Sequence, residues 1–302
     1  MGDYLIRATG EGGVLALVAR TTDLVERARQ LHRTSPTATA ALGRLLTGGA
    51  LMAATLKEGQ SLTLRINGDG PLGSLVVVAR PGKIKGYVGE PQVELPLRED
   101  GKLDVGRAVG RGTLYVVKDL GLKEPYVGSV ELVSGEIGED LAHYFVSSEQ
   151  KPSAVGVGVR VEPEGKVGAA GGFLVQLLPG AGEAVAELLE NNLREAGPVS
   201  SLLAGGLSPE DIAHLLLKGL SFKVYERQPL RWACDCSRER LREVLLALGP
   251  QELERILVER GEAEATCAFC SRVYRFDRDE VEELLELSRR DSGKEDGDRP
   301  GG

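Results

Sequence analysis

Ser61-Leu62-Thr63-Leu64-Arg65-Ile66-Asn67-Gly68-Asp69-Gly70-Pro71-Leu72-Gly73-Ser74-Leu75-Val76-Val77-Val78-Ala79-Arg80 is the stretch on which the fold class turns. Its glycines match the dinucleotide pattern G-x-G-x-x-G, which belongs to a doubly wound parallel sheet. That fingerprint requires a helix to start at the glycines, because the pyrophosphate sits on the helix N-terminus. Here Leu75-Val76-Val77-Val78 continues as a strand instead. Gly68–Gly73 therefore reads as a hairpin turn between two antiparallel strands.

Outward from that turn, Lys83–Val88, Thr113–Lys118 and Tyr126–Leu132 are further strand-like runs punctuated by Gly and Pro, a meander rather than βαβ units. Residues 4–9 and 13–20 flank Gly10-Glu11-Gly12 and read as an opening hairpin, and 154–162 and 166–177 as two later strands. Asp23 with Glu26 starts a helix whose buried face is Leu24, Ala28 and Leu31. The apolar run Thr37–Leu56 is as long as a membrane span but carries Arg44 near its middle. With Ser35 as N-cap and Pro36 as the first helical residue, it reads as a core helix packed closely through Gly43, Gly48 and Gly49. Residues 138–147 make a short helix. The fold class expected is α+β: a mostly antiparallel sheet domain packed on helices over residues 1–178, followed by a helical linker and a small C-terminal module.

The linker, residues 179–231, is amphipathic. Glu183–Arg194 places Val185, Leu188, Leu189 and Leu193 on one face, Gly197-Pro198 ends that helix, and Ser208-Pro209-Glu210-Asp211 starts another bearing Ile212, Leu215 and Leu216. Those stripes need a cover, and the neighbouring domains are the available ones. In the module, residues 232–287, one helix carries Leu241, Val244, Leu245 and Leu248 and a second carries Leu253, Ile256 and Leu257; a last helix starts at Asp277-Arg278-Asp279-Glu280. Residues 288–302, rich in charge and Gly, are expected to be disordered.

Composition narrows the classes. Glycine supplies 40 of 302 residues, which favours many tight turns, and the net charge of −8 gives no general attraction to nucleic acid or to an anionic membrane. Met1-Gly2-Asp3-Tyr4-Leu5-Ile6 lacks the basic-then-apolar pattern of a secretion signal, so the cytoplasm is expected. No G-x-S-x-G, P-loop or deaminase signature occurs, and His32, His143 and His214 are scattered on helix-like segments. An enzyme is not expected.

The chemistry concentrates in the module. Cys234-Asp235-Cys236 and Cys267-Ala268-Phe269-Cys270 hold all four cysteines of the chain. Two tight pairs whose spacer folds back can bring four sulfurs to one point, the tetrahedral donor set that Zn²⁺ takes, and four thiolates leave no open coordination position for catalysis. Two structural disulfides, four buried apolar thiols and an iron–sulfur cluster are the other readings of the same residues. From the residues alone the function is a permanent structural zinc module for nucleic-acid or protein binding, with Arg231, Arg238, Arg240, Arg242, Arg272 and Arg275 as its basic patch.

The cysteine pattern resembles the heat-shock protein 33 family, and the resemblance covers nearly the whole chain. It includes Thr34-Ser35-Pro36-Thr37-Ala38-Thr39, Ala41-Leu42-Gly43-Arg44, Gly68–Gly73, Gly171-Gly172-Phe173 with Gln176 and Leu178-Pro179-Gly180, Cys234-Asp235-Cys236-Ser237, and Cys267–Cys270 with Tyr274 and Phe276. The resemblance implies a redox-regulated, ATP-independent holdase chaperone whose N-terminal domain is the chaperone and dimerisation core. It implies a resting form in which Cys234, Cys236, Cys267 and Cys270 hold Zn²⁺, and an active homodimer, formed when oxidation joins Cys234 to Cys236 and Cys267 to Cys270 and zinc leaves. The implied partners are unfolding client proteins, with no membrane and no specific nucleic acid.

Overall fold

The computed structural model describes residues 2–295. It divides into two compact units, one ending at Ala233 and one beginning at Cys234.

The first unit is built on two sheets. One has β1 (Tyr4–Gly10), β2 (Val14–Arg20), β8 (Ser153–Val161), β9 (Val167–Leu177) and β10 (Phe222–Pro229) in the order β10-β1-β2-β9-β8, every neighbour antiparallel. The other has β3 (Ser61–Gly68), β4 (Ser74–Arg80), β5 (Lys83–Val88), β6 (Gly112–Asp119), β7 (Tyr126–Glu131) and the two-residue β11 (Arg231–Trp232) in the order β11-β5-β4-β3-β6-β7. Only β11 runs parallel to its neighbour, β5.

The Gly68–Gly73 stretch is the β3–β4 turn, closed by the pair Asn67 and Ser74. Its glycines serve a backbone contact and not a phosphate: a Cβ on Gly68 would lie 1.9 Å from the Val109 carbonyl oxygen, and the Gly70 N–H donates to that same oxygen at 3.0 Å. Asp69 completes the lock, its carboxylate accepting the Arg111 N–H at 2.7 Å. The segment held this way follows the short helix α3 (Val105–Val109).

Helix α2 (Pro36–Ala53) runs through the core, packed against β8 and β9 of one sheet and β3, β4 and β5 of the other. The Ser35 hydroxyl caps it by accepting the Ala38 N–H at 3.3 Å, and of its side chains only those of Pro36 and Arg44 escape full burial. Arg44 forms an ion pair with Glu136 through its Nη1. A helix buried all round needs small residues where neighbours press in. Gly43 faces Val25 and Val159, Gly48 faces Leu141, and Gly49 faces Val77, each with a side-chain carbon within 2.4–2.8 Å of where a Cβ would stand. Those neighbours come from α1 (Thr22–His32), β8, α4 (Gly138–Ser147) and β4. No helix among the described residues is long and apolar enough to cross a membrane.

The other face of the five-stranded sheet is covered by α5 (Glu183–Ala196), α6 (Val199–Ala204) and α7 (Pro209–Leu216), whose Leu189, Val199, Ile212, Ala213 and Leu216 join Tyr4, Ile6, Ala16, Val18 and Val175 in a second core. The amphipathic stripes of segment 179–231 thus find their cover on the sheet before them. The segment is not helical throughout, because Phe222–Pro229 turns into β10 and pairs with β1. Nothing in its sequence alternates, since most of its residues are exposed on both faces at the sheet edge.

The second unit holds α8 (Arg238–Leu246), α9 (Pro250–Glu259), the antiparallel pair β12 (Ala263–Thr266) and β13 (Val273–Phe276), and α10 (Arg278–Glu295). Its core is eight buried residues: Leu245, Leu253, Leu257, Ala263, Phe276, Val281, Leu284 and Leu285. Of the face expected on α8, Leu245 is buried and Leu241 packs beside it, whereas Val244 and Leu248 are exposed. Asp277 and Glu280 cap α10 reciprocally, at 3.0 and 3.1 Å. The expected disorder from residue 288 is corrected in part: α10 continues to Glu295, carried on by the buried Val281, Leu284, Leu285 and Ser288. Residues 296–302 lie outside the described residues.

Candidate metal centre

Two local structures deliver the cysteines. Cys234 and Cys236 lie on the extended approach to α8, whose N-cap Ser237 accepts the Arg240 N–H at 3.3 Å. Cys267 and Cys270 lie on the turn between β12 and β13, closed by Ser271 N–H to Cys267 C=O at 2.8 Å and Cys267 N–H to Arg272 C=O at 2.9 Å. The four Sγ atoms all lie within 4.8 Å of one another. Cys236 lies 3.4 Å from Cys270 and Cys234 lies 3.7 Å from Cys267, sulfur to sulfur, far beyond a disulfide bond of about 2.05 Å. With metal–sulfur bonds of about 2.3 Å, a tetrahedron of sulfurs has edges of about 3.8 Å. The donor set and its spacing fit one ion with four thiolate ligands.

Burial explains why a cation belongs here. It pushes the Cys234 thiol up to about 12 and also raises that of Cys270. At Cys236 burial is outweighed by hydrogen bonds from Tyr274 and the neighbouring thiols, which bring it down to about 7. Four thiolates this close repel, and half-buried sulfur loses the water that would dilute the charge. A divalent cation meets both costs. The Tyr274 hydroxyl lies 3.2 Å from Cys236 Sγ and 3.1 Å from its carbonyl oxygen.

No histidine joins the cluster. His32 meets the Gly86 carbonyl, His143 meets Ser147, and His214 stacks edge-on against Phe222. The candidate basic patch is largely spent within the module, as Arg238, Arg240, Arg242 and Arg275 form ion pairs with Glu280, Asp235, Glu283 and Glu264 at 2.5–3.1 Å. Arg231 belongs to β11 of the other unit. Tyr274 is the contact that sequence reasoning left without a role; its signal was an aromatic residue four positions after Cys270.

Fold and site together define a two-unit α+β protein whose C-terminal module carries a four-thiol cluster that could hold a metal ion. The family profile described as Hsp33 protein matches residues 3–277, and the chain belongs to that family. Its relatives are named as chaperones. The 33 kDa chaperonin of Desulforamulus reducens is 51% identical over 94% of this chain and 98% of its own. That of Symbiobacterium thermophilum is 53% identical over 93% and 96%. A crystal structure of the 33 kDa chaperonin (heat shock protein 33 homolog) of Thermotoga maritima matches with a TM-score of 0.89 at 40% identity, covering 96% of this chain and 99% of that one.

Proposed function

We propose that this chaperone is an ATP-independent holdase under redox control. In the reduced resting form Cys234, Cys236, Cys267 and Cys270 hold Zn²⁺. Oxidation joins Cys234 to Cys236 and Cys267 to Cys270, and the active form is a homodimer in the cytoplasm that binds unfolding proteins. The observation that carries the reading is the gathering of all four sulfurs within 4.8 Å in a chain of this family.

When bound, Zn²⁺ offsets the thiolate charges and cross-links the two halves of the module. The residues do the rest. Each disulfide forms as two thiolates give two electrons to an oxidant such as a peroxide, whose O–O bond breaks to yield two waters with two protons. The sulfurs are then no longer ligands. A module with eight buried apolar side chains is near the size at which an unaided core is marginal. Structural zinc contributes about 10–16 kcal/mol in small domains, against net domain stabilities of about 5–15 kcal/mol, so the module opens when its cross-link is lost. In the folded module close sulfur contacts run between its halves, Cys236 to Cys270 and Cys234 to Cys267. Pairing within each half therefore belongs to the loosened module, where a short loop closes at less entropic cost than one of about 30 residues.

The test is light scattering of a heat-unfolding client with reduced zinc-loaded and with oxidised protein. Protection by the oxidised form alone is expected. Equal protection by both would reject the switch, and tight, salt-sensitive nucleic-acid binding without protection would favour a permanent structural zinc module.

A further inference from the structure

We infer that Tyr274 is a positioning residue that shields the Cys236 sulfur and makes it less reactive than it would otherwise be. The inference rests on the reading of the four cysteines as a Zn²⁺ site.

The four sulfurs are not equivalent. The main-chain N–H of Cys236 lies against Cys234, and that of Arg272 against Cys270, each favouring the thiolate. Cys267 is itself buried, at 8% exposure. Cys236 is half-buried and its donor is the hydroxyl of a side chain, Tyr274, at 3.2 Å. Main-chain donors cannot be removed by substitution except with Pro, which also fixes φ and disturbs the backbone. The Tyr274 hydroxyl can.

The ring that carries this hydroxyl is held in place. Tyr274 stands on β13 opposite Ala265 of β12, and its ring packs on the module core. The Arg272 guanidinium lies beside the phenol oxygen and can only donate to it, so the hydroxyl proton is directed toward Cys236, whose Sγ and carbonyl oxygen are both in reach. Tyr274 thus ties the hairpin that bears Cys267 and Cys270 to the other half of the site through a hydroxyl shared between the Sγ of the ligand Cys236 at 3.2 Å and its carbonyl oxygen at 3.1 Å. Donors of this kind lower the energy of the sulfur lone pairs, and losing one typically costs about 10–100-fold in metal affinity. A metal-bound thiolate relieved of its donor is the better nucleophile. In this arrangement Tyr274 sets how readily the Cys-x-Cys half meets an electrophile.

The test uses the full chain, reduced and loaded with Zn²⁺, as wild type and as Tyr274→Phe, which keeps the ring and its packing. Iodoacetamide is the probe: a cysteine sulfur forms a bond to its carbon, the C–I bond breaks, and iodide leaves. Peptide mass spectrometry reads the rate at each cysteine. In Tyr274→Phe, alkylation of Cys236 rises on the order of 10-fold while Cys234, Cys267 and Cys270 keep their wild-type rates. An unchanged rate at Cys236, or an equal rise at all four, would overturn the inference, the latter showing general loosening. Should the variant hold zinc too weakly for rates to be compared, the Co²⁺-loaded proteins carry the test. Removing the donor shifts the thiolate-to-metal charge-transfer band to lower energy, and an unmoved band would also overturn the inference. A wild-type protein that takes up neither ion, with four cysteines reacting as free thiols, would instead overturn the metal reading beneath it.

Discussion

Replacing Leu253 by Ala tests the coupling between the module's core and the proposed Zn²⁺ site. Leu253 lies on α9, is 0% exposed, and packs in one cluster with Leu245, Leu257, Phe276, Val281 and Leu284. Truncating a fully buried Leu costs about 2–5 kcal/mol, from lost transfer energy and the cavity left behind. A core this small has few neighbours free to collapse into the gap, so a loss of about 3 kcal/mol is expected. If the metal-free module is unfolded, binding and folding are one equilibrium and the whole loss appears in the metal affinity. The apparent Zn²⁺ affinity should then fall roughly 100-fold, since each 1.4 kcal/mol is tenfold. Chelator competition measures it, with hydrogen exchange showing faster opening in residues 238–290 and unchanged protection in β1–β9. An unaltered zinc affinity in a module shown to be destabilised would refute the coupling.

Three further outcomes can be measured. Gly43→Val should destabilise the first unit by about 3 kcal/mol, because its Cβ would stand 2.6 Å from a Val25 methyl and 2.8 Å from a Val159 methyl, both on stiff β-branched side chains; an unchanged denaturant midpoint would contradict this packing. Burial lifts the Asp3 carboxyl to about 6, above its unfolded value of about 3.9, so the folded state keeps a proton that the unfolded state gives up. This group's contribution is therefore most favourable below about pH 4 and declines as pH rises to about 6. Asp3→Asn, which keeps an oxygen for the Leu24 N–H, should match wild type in thermal midpoint near pH 4 and exceed it at pH 7, and a lower midpoint at pH 7 would count against the account. Peptide mapping after oxidation should find Cys234 joined to Cys236 and Cys267 to Cys270; a dominant Cys236–Cys270 link, between sulfurs 3.4 Å apart in the folded module, would mean that the module stays folded while it is oxidised.

Much of the fold was legible because the deciding signals are local. The strand after Gly73 rules out a dinucleotide turn, and Ser35-Pro36 followed by small and apolar residues specifies a buried helix whose glycines then meet Val25, Leu141 and Val77. The cysteine spacing likewise anticipated that four sulfurs converge. What escaped depends on distant partners. Phe222–Pro229 becomes β10 only because β1 offers a free edge, and Arg231–Trp232 joins β5 through parallel pairing that leaves no mark on two residues. Val244 and Leu248 carry helical spacing, yet the small module lacks the surface to cover them. Tyr274 was visible as a residue, but its reach to Cys236 across 38 positions needed the folded hairpin.

The central claim is that thiol oxidation, loss of the ion and chaperone activity are one event. The most direct measurement is a peroxide titration of reduced, zinc-loaded protein in which released Zn²⁺ and suppression of client aggregation are read from the same samples. The account predicts one Zn²⁺ per chain released and protection rising in proportion to it, both reversed by reductant with added zinc. Full protection before any Zn²⁺ is released, or complete release with no gain in protection, would contradict it.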